Sequence, residues 1–336
     1  MRYPTLTSLI LMIILAGLVA CAPAGSSPSP VPTQTALTPS SSTEMPSTPT
    51  SAVSEPSKAV IISEGNPWED RVITWIRERT TAQGWEVEVQ RNAQLNAGDS
   101  STALVVLLAP TFDVNALVAQ HPNLPFVFIA NAPLPESPNL TQVILRDDHL
   151  YFLAGYLAVL IAPDFRAGAV LPEGADTAVQ AFRNGAFYLC GRCVPAYGPI
   201  VPFPVTATLA PNASVDTLQT TLTELNQNRL ETLFVPAELL SPDHLPVLES
   251  TGWRLIGTSL PQDPPSNWAV TMTFDLAQGL ETAWQAALIE KQAATITVPI
   301  TLKDINSQWL TPGRQRLAEQ IIKDLQAGWI YPLTPP

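Results

Sequence analysis

The chain has 336 residues, of which 34 are proline and 46% are hydrophobic, and its 17 basic and 29 acidic residues give a formal net charge of −12. So acidic a chain has no overall electrostatic attraction for a nucleic acid polymer or for anionic lipid headgroups, and neither is an expected partner. We expect the folded part of the chain to cover residues 58–336, a length sufficient for two domains of ordinary size.

The N-terminus has the pattern of a bacterial lipoprotein signal. Arg2 precedes an apolar run over residues 9–20, and a small residue stands directly before Cys21. In this pattern residues 1–20 are removed and the cysteine becomes a diacylated N-terminus. The acyl chains would anchor the protein at a membrane surface of the cell envelope, on the extracytoplasmic side. The alternatives are an ordinary signal peptide with an incidental cysteine and a transmembrane anchor, for which the run is short.

Residues 21–57 are predicted to be the lipidated cysteine and a disordered linker. The segment after Cys21 consists mainly of Pro, Ser and Thr and has almost no large apolar side chain. Burial therefore cannot offset the entropy of ordering it. Because proline favours extended polyproline II geometry, we expect this segment to act as a tether.

Strands and helices alternate in the first half of the folded part. Asn66 as N-cap, Pro67 at the first helical position and Glu69 in a capping box indicate one helix start. A second helix is predicted over residues 114–120. The predicted strands cover residues 58–63, 85–89, 103–108, 126–129 and 142–145.

Residues 143–171 read as strand, helix and strand, and the helix is apolar on nearly every side. A helix of this kind is buried between other elements. Asp147 and Asp148 precede it and Pro163 follows it, so it is shorter than the roughly 20 residues that cross a bilayer. We interpret it as the crossover of a βαβ unit inside a folded domain.

The alternation continues to the C-terminus. Helices are predicted to begin at Asp176, Ser214, Ser241, Leu276 and Thr311. The predicted strands cover residues 167–171, 200–209, 232–235, 253–256, 268–272 and 295–300. The pattern predicts an α/β fold in which helices cover parallel sheets.

Cys190 and Cys193 form a Cys-Gly-Arg-Cys motif. In an exported protein, the expected state of this pair is a local disulfide bond. A thioredoxin-like redox role would place the motif at the start of a helix, whereas here it follows residues that read as a helix end. Metal binding would need a second pair of ligands, which the nearby sequence does not provide.

Four segments of the chain resemble the basic membrane protein family of purine-nucleoside-receptor lipoproteins. They are Phe-Leu-Ala-Gly-Tyr-Leu-Ala at 152–158, Ala-Gly-Ala-Val at 167–170, Ala-Phe-Arg-Asn-Gly-Ala at 181–186, and residues 323–330. The resemblance covers nearly all of residues 58–336. It implies a type I periplasmic-binding-protein fold, in which two Rossmann-like lobes are joined by hinge crossovers.

The resemblance also implies a domain organisation. Residues 58–146 and 268–299 would form the first lobe, and residues 147–267 and 300–336 the second. The chain would cross between the lobes after Leu145, within residues 261–268, and near Ile300. A small-molecule ligand would bind in the cleft between the lobes.

In such a fold the cleft is lined by loops at the carboxyl ends of strands. For Trp68 the alternative to stacking on a ligand is a place in the core. For Asp148 the alternative is helix capping, and for Glu173, Asp176 and Asp275 it is capping or solvation. The candidate ligand-binding residues are Asn66, Trp68, Asp147, Asp148, Glu173, Asp176 and Asp275.

The acidic residues at these strand ends favour a neutral or cationic ligand, such as a nucleoside or a sugar. The sequence contains no motif of a hydrolase, a metalloenzyme or a phosphate-binding loop, so we expect no catalysis, no cofactor and no metal. The resulting hypothesis is a solute-binding lipoprotein of an ABC importer, with an ABC permease as partner. The alternative is an envelope sensor or protein-binding lipoprotein whose cleft is degenerate.

Overall fold

The computed structural model describes residues 57–65, 68–91, 101–108 and 110–334. The predicted signal peptide, Cys21 and all of the linker except its last residue lie outside the described residues, as do Asn66 and Pro67. No helix within the described ranges is long and apolar enough to cross a bilayer.

The described residues form strands and helices that alternate along most of the chain. The strands are β1 (Lys58–Ser63), β2 (Glu86–Gln90), β3 (Thr102–Leu108), β4 (Phe126–Ala130), β5 (Leu140–Ile144), β6 (Ala167–Pro172), β7 (Val205–Leu209), β8 (Thr232–Val235), β9 (Arg254–Gly257), β10 (Trp268–Phe274), β11 (Thr295–Thr297) and β12 (Ile300–Lys303). The helices are α1 (Glu69–Thr81), α2 (Val114–Gln120), α3 (Asp147–Ile161), α4 (Asp176–Cys190), α5 (Val215–Asn226), α6 (Leu245–Ser250), α7 (Leu276–Trp284), which continues as a π-helix over Gln285–Glu290, and α8 (Pro312–Gln326). Two short 3₁₀ turns, Ala237–Leu239 and Pro242–His244, follow β8.

The strands form two sheets of six. The first sheet has the order β2-β1-β3-β4-β5-β11, and all its neighbouring strands are parallel. The second has the order β7-β6-β8-β9-β10-β12, and only β12 runs antiparallel to its neighbour. The predicted fold class, two α/β lobes built on parallel sheets, is therefore confirmed.

The chain passes between the sheets three times. It leaves the first sheet after β5, returns after β10 at Asp275, and leaves again at residues 298–299 between β11 and β12. Backbone hydrogen bonds hold the crossings together: Val298 N donates to Ile144 O (2.9 Å), and Asp275 N donates to Pro299 O (2.7 Å). These paired crossings are the structural counterpart of a hinge.

Two predicted placements of these crossings were wrong. The strand predicted at residues 268–272 is expected in the first lobe, but β10, which extends to Phe274, pairs with β9 and β12 in the second sheet. The second crossing therefore lies at Asp275 rather than within residues 261–268. The segment 295–300 is also not one strand, because the chain changes sheets at residues 298–299.

Helix α3 is buried on nearly every side, as its composition predicts. The βαβ interpretation of it was wrong, because β5 and β6 lie in different sheets. Instead α3 packs against α4, α8, β6 and β8 of the second lobe. It is therefore the first helix of that lobe.

Helices α3 and α4 approach each other closely through a pair of glycines. A methyl group on Gly155 would overlap the carbonyl oxygen of Phe182, and a methyl group on Gly185 would overlap the carbonyl oxygen of Phe152. Only glycine leaves the backbone exposed enough for such an approach. The two phenylalanines are themselves fully buried, so this contact forms part of the main core.

The end of α4 and the start of β7 are set by local chemistry. The strand predicted within residues 200–209 occupies Val205–Leu209, and it starts no earlier because Pro202 and Pro204 cannot donate hydrogen bonds to a neighbouring strand. Cys190 is the last residue of α4, and its Cα lies 5.7 Å from that of Cys193, a separation that a disulfide can span. The motif thus lies at a helix C-terminus, as the sequence indicated, and not at the N-terminus that lowers the pKa of a reactive thiol.

Candidate functional site

The strand orders indicate where a ligand would bind. In the first sheet β1 lies between β2 and β3, and in the second sheet β6 lies between β7 and β8, so the strand order reverses at each of these central strands. Ligands of open α/β sheets bind outside the carboxyl ends of the strands at such reversals. The candidate site is therefore built from the loops after β1 and β3 and the loops after β6 and β8.

The most concentrated polar cluster lies beside the first crossing. Asp147, the first residue of α3, accepts a hydrogen bond from Asn131 Nδ2 to its Oδ2 (2.5 Å). One turn later, Tyr151 donates its hydroxyl to Glu238 Oε1 (3.0 Å), and its ring meets Phe234 edge to face at 5.9 Å. Asn131 follows β4 and Glu238 follows β8, so the cluster joins strand ends of both sheets.

Among the described residues, no cation pairs with the carboxylate of Asp147. Burial raises the pKa of Asp147 to about 6, with help from the charges of Glu238 and Asp148, while the hydrogen bond from Asn131 lowers it. Burial also raises the pKa of Tyr151, and the negative charge of Glu238 adds to this effect. The tyrosine therefore stays protonated and acts as a hydrogen-bond donor.

Asp148 differs from Asp147 because it is paired. Arg146 donates from Nε to Asp148 Oδ1 (2.8 Å) and from Nη2 to Oδ2 (2.6 Å). Burial alone would raise the pKa of Asp148, but the hydrogen bonds and the charge of Arg146 outweigh it and lower the pKa. The N-cap position of α3 is Arg146, so Asp148 forms an ion pair there and is not the capping residue.

Glu69, which the sequence placed in a capping box, is held by an ion pair instead. Arg91 donates to both carboxylate oxygens of Glu69 (2.5 and 2.6 Å), and Ser63 Oγ donates to Oε2 (2.6 Å). The hydrogen bonds with Arg91 are the main reason that the pKa of Glu69 is lowered, and the bond from Ser63 acts in the same direction. The negative charge expected after β1 is thus largely neutralised by Arg91.

Trp68 is half-buried at the N-cap position of α1 and packs against the main core. The loop after β1 is joined to the loop after β3 by a hydrogen bond from Thr111 Oγ1 to Glu64 Oε1 (3.0 Å). Trp68 therefore has a core contact and lies at the strand end where a ligand would bind. Its proposed partner in the site, Asn66, lies outside the described residues.

The remaining candidates are separate from the cluster at Asp147. Glu173 is exposed in the loop after β6, and Asp176 is exposed as the first residue of α4. Asp275 is the N-cap of α7, where its Oδ1 accepts a hydrogen bond from Gln278 N (3.1 Å). Within the described ranges, no hydrogen bond or ion pair joins these three carboxylates to the cluster. Asp275 therefore makes the contact of a helix-capping residue.

Sequence reasoning missed Asn131, Tyr151 and Glu238 as site residues. Asn131 comes directly after β4, and Glu238 follows β8 by three residues. Their positions at strand ends were a usable signal, because polar residues there face the cleft in this type of fold. Tyr151 gave no such signal, since its spacing matches that of the buried helix residues around it.

Two cavities differ in their relation to this site. A cavity of about 230 Å³ lies between the loops after β8 and β9, where Ala237, the neighbour of Glu238, forms part of its wall. A larger cavity of about 630 Å³ lies at the opposite, amino-terminal ends of the strands in the first sheet. Because the fold places ligands at carboxyl ends, we assign the main site to the cluster at Asp147 on that side, although none of its four residues lines the smaller cavity. No group of three potential metal ligands occurs among the described residues.

Comparison with known proteins shows the fold. No family model matches the chain, and no curated protein matches it by sequence. A solute-binding protein of an ABC transporter system from Aeropyrum pernix K1 is similar in structure, with a TM-score of 0.55, 13% identity, and coverage of 82% of this chain and 92% of that chain. A transcriptional activator of the comK gene from Bacillus halodurans has a TM-score of 0.60 at 12% identity, covering 81% of this chain and 98% of its own. An ABC transporter periplasmic solute-binding protein from Actinobacillus succinogenes 130z, with bound D-allose, has a TM-score of 0.51 at 13% identity, covering 74% and 98%. The chain therefore has the two-lobed fold of periplasmic binding proteins.

Proposed function

We propose that the chain is an extracytoplasmic solute-binding lipoprotein whose two lobes close on a small neutral or cationic molecule. The observation that carries this proposal is the uncompensated pair of carboxylates at the hinge, Asp147 and Glu238, beside the donor and acceptor groups of Asn131 and Tyr151. A ligand with hydroxyl or ammonium groups would donate to these carboxylates. An anion would be repelled by them.

The three paired crossings support a closing motion. Each is a short segment between regular elements, and hinges of this kind absorb the rotation of two rigid lobes. Polar groups at the strand ends would then direct the ligand, while Trp68 would supply apolar contact. The similar protein with bound D-allose supports a sugar as one ligand class, and the family resemblance supports a nucleoside as another.

The transport role is proposed on the same basis. Two of the three structures above are solute-binding proteins of ABC transporters, which supports an ABC permease as the partner. Lipidation at Cys21 would hold the protein at the membrane that contains the permease. A protein that binds no small molecule would instead fit an envelope sensor with a degenerate cleft.

The proposal is tested by a thermal-shift screen of nucleosides, neutral sugars, amines and phosphorylated compounds. A ligand at about 100 times its dissociation constant stabilises the folded state by about 2.7 kcal/mol. We expect Asp147→Asn and Glu238→Gln to reduce the shift. Asp216→Asn and Glu224→Gln, exposed acids on α5, are matched controls that should leave it unchanged.

Two results would contradict the proposal. A strong shift with a phosphorylated compound would refute the charge argument. Equal shifts in the cluster variants and in the α5 controls would show that the ligand binds elsewhere. Trp68→Ala should weaken a nucleoside or sugar shift while the protein remains folded, and a lost fold would instead favour the core interpretation of Trp68.

A further inference from the structure

The larger cavity described above lies away from the ligand site of the proposed function. Its walls come from residues at or just before the starts of β2, β3, β4, β5 and β11, together with the end of α7 and the π-helix that extends it. These are the amino-terminal ends of the strands in the first sheet. The cavity is therefore at the other end of the first lobe from the hinge cluster, and its volume of about 630 Å³ is in the range of small-molecule pockets.

Tryptophan rings form one wall of this cavity, which we call the tryptophan cavity. Trp85 and Trp284 both line it, and their ring centroids are 5.7 Å apart. Trp75 packs edge to face against Trp284, with ring centroids 5.9 Å apart, and so holds the Trp284 ring in place. A rigid aromatic wall of this kind offers a flat apolar face at small entropic cost.

Polar groups on the cavity wall are available to a ligand. Gln83, Asn123 and Gln292 line it, and their side-chain amides make no hydrogen bond within the described part of the chain. Trp284 is 97% buried, and its indole N–H likewise donates to no described group. The N–H is not among the buried polar atoms that lack a partner, so it is accessible, and an occupant of the cavity with acceptor groups would be able to bond to it.

One lining amide has a structural role instead. Asn139 Nδ2 donates to the carbonyl oxygens of His121 and Leu124, both at 2.9 Å. These bonds fix the loop that carries Pro122 and Asn123 into the cavity wall. The wall is thus held in place before any ligand binds, which reduces the entropic cost of binding.

The charge of the wall narrows the class of ligand. Among the described lining residues, the one charged side chain is that of Lys291, which is exposed, and none is a carboxylate. A cation would therefore find no counter-charge, and an anion would find a single solvated lysine. Amides and indole N–H groups are suited to neutral hydroxyl and carbonyl oxygens.

We propose that the tryptophan cavity is a second binding site, separate from the hinge cluster, for an uncharged sugar ring. The apolar C–H face of the ring would pack on Trp85, while its hydroxyl groups would bond to the amides of Gln83 and Asn123. This inference does not depend on the proposed function, because the residues of the two sites are distinct.

The test uses the chain labelled with 5-fluorotryptophan and fluorine NMR, with the Trp85 signal assigned through Trp85→Phe. Maltose and N-acetylglucosamine are the neutral probes, and inorganic phosphate and tetramethylammonium are the charged ones. We expect the neutral sugars to shift the Trp85 signal and to leave the signal of the exposed Trp329 unchanged. The charged probes should shift neither signal.

Variants then separate this cavity from the hinge site. Gln83→Ala combined with Asn123→Ala should weaken the sugar effect at Trp85 at least about tenfold. Asn212→Ala combined with Gln227→Ala is the matched control at exposed positions outside the cavity and should have no effect. Asp147→Asn should also leave the Trp85 effect unchanged.

Three outcomes would overturn the inference. The first is that neither sugar shifts the Trp85 signal. The second is that the effect survives in the Gln83 and Asn123 double variant, which remains informative because both side chains are exposed and their loss does not disturb the core. The third is that phosphate or tetramethylammonium shifts the signal as strongly as the sugars.

Discussion

The contact between α3 and α4 allows a quantitative test of the fold through Gly155→Ala. The added methyl group would overlap Phe182 O and lie 2.8 Å from Phe182 C and 3.0 Å from Ala186 N. All three atoms belong to the backbone, so no side-chain rotation relieves the overlap and the helices must separate. Overpacking a core costs about 1–3 kcal/mol, and a backbone clash belongs at the upper end of that range.

The helix propensity of alanine partly offsets this cost. Alanine in place of glycine within a helix stabilises by about 1 kcal/mol. The expected net loss in the free energy of unfolding is therefore about 2 kcal/mol, which lowers Tm by roughly 4–8 °C for a domain of this size. The measurement is thermal unfolding followed by circular dichroism.

The matched control is Gly313→Ala in the first turn of α8. A methyl group there would have Arg316 Nη2 as its nearest neighbour, at 4.0 Å, so it meets open space. We expect Tm to remain unchanged or to rise. A Gly155→Ala variant as stable as the Gly313→Ala variant would refute the close approach of α3 and α4.

Three further predictions concern the anchor, the cysteines and the hinge carboxylate. Cys21→Ser should release the protein from membranes into the soluble export fraction, and unchanged retention would argue against lipidation. Thiol labelling of folded protein without reductant should find Cys190 and Cys193 unreactive, whereas ready alkylation would show that the disulfide does not form. Because burial raises the pKa of Asp147 to about 6, the folded state binds this proton more tightly than the unfolded chain, and stability falls as pH rises from the ordinary pKa of 3.8 through 6. Asp147→Asn should therefore raise Tm at about pH 7.5 but not at about pH 3.5, and an equal effect at both pH values would contradict the assignment.

Much of the fold could be predicted because its strands are short apolar runs with little polar interruption. Strands such as β3 and β4 are almost wholly buried, and such runs are typical of parallel sheets. The sheet that β10 joins could not be predicted in the same way. A buried run is equally compatible with either lobe, and only its pairing with β9 and β12 decides between them.

The site was harder to predict because its charges are set by long-range contacts. Glu69 and Arg91 are 22 residues apart, and nothing in the local sequence indicates that they pair. Tyr151 and Glu238 are 87 residues apart. The neighbouring Asp147 and Asp148 look equivalent in sequence, yet Arg146 pairs with the second and leaves the first uncompensated.

Because of these pairings, the charges that would select a ligand in the proposed cleft lie mainly on the second lobe. The charge after β1 is neutralised by the Arg91 pair, so the first lobe contributes little repulsion near Glu69. The carboxylates that remain uncompensated, Asp147 and Glu238, belong to α3 and to the turn after β8, both of which pack with the second lobe. A cationic or hydroxyl-bearing ligand would therefore bind first to the second lobe, and closure of the first lobe would add the apolar face of Trp68. Loss of Asp147 should on this reasoning impair the initial binding, whereas loss of Trp68 should impair closure.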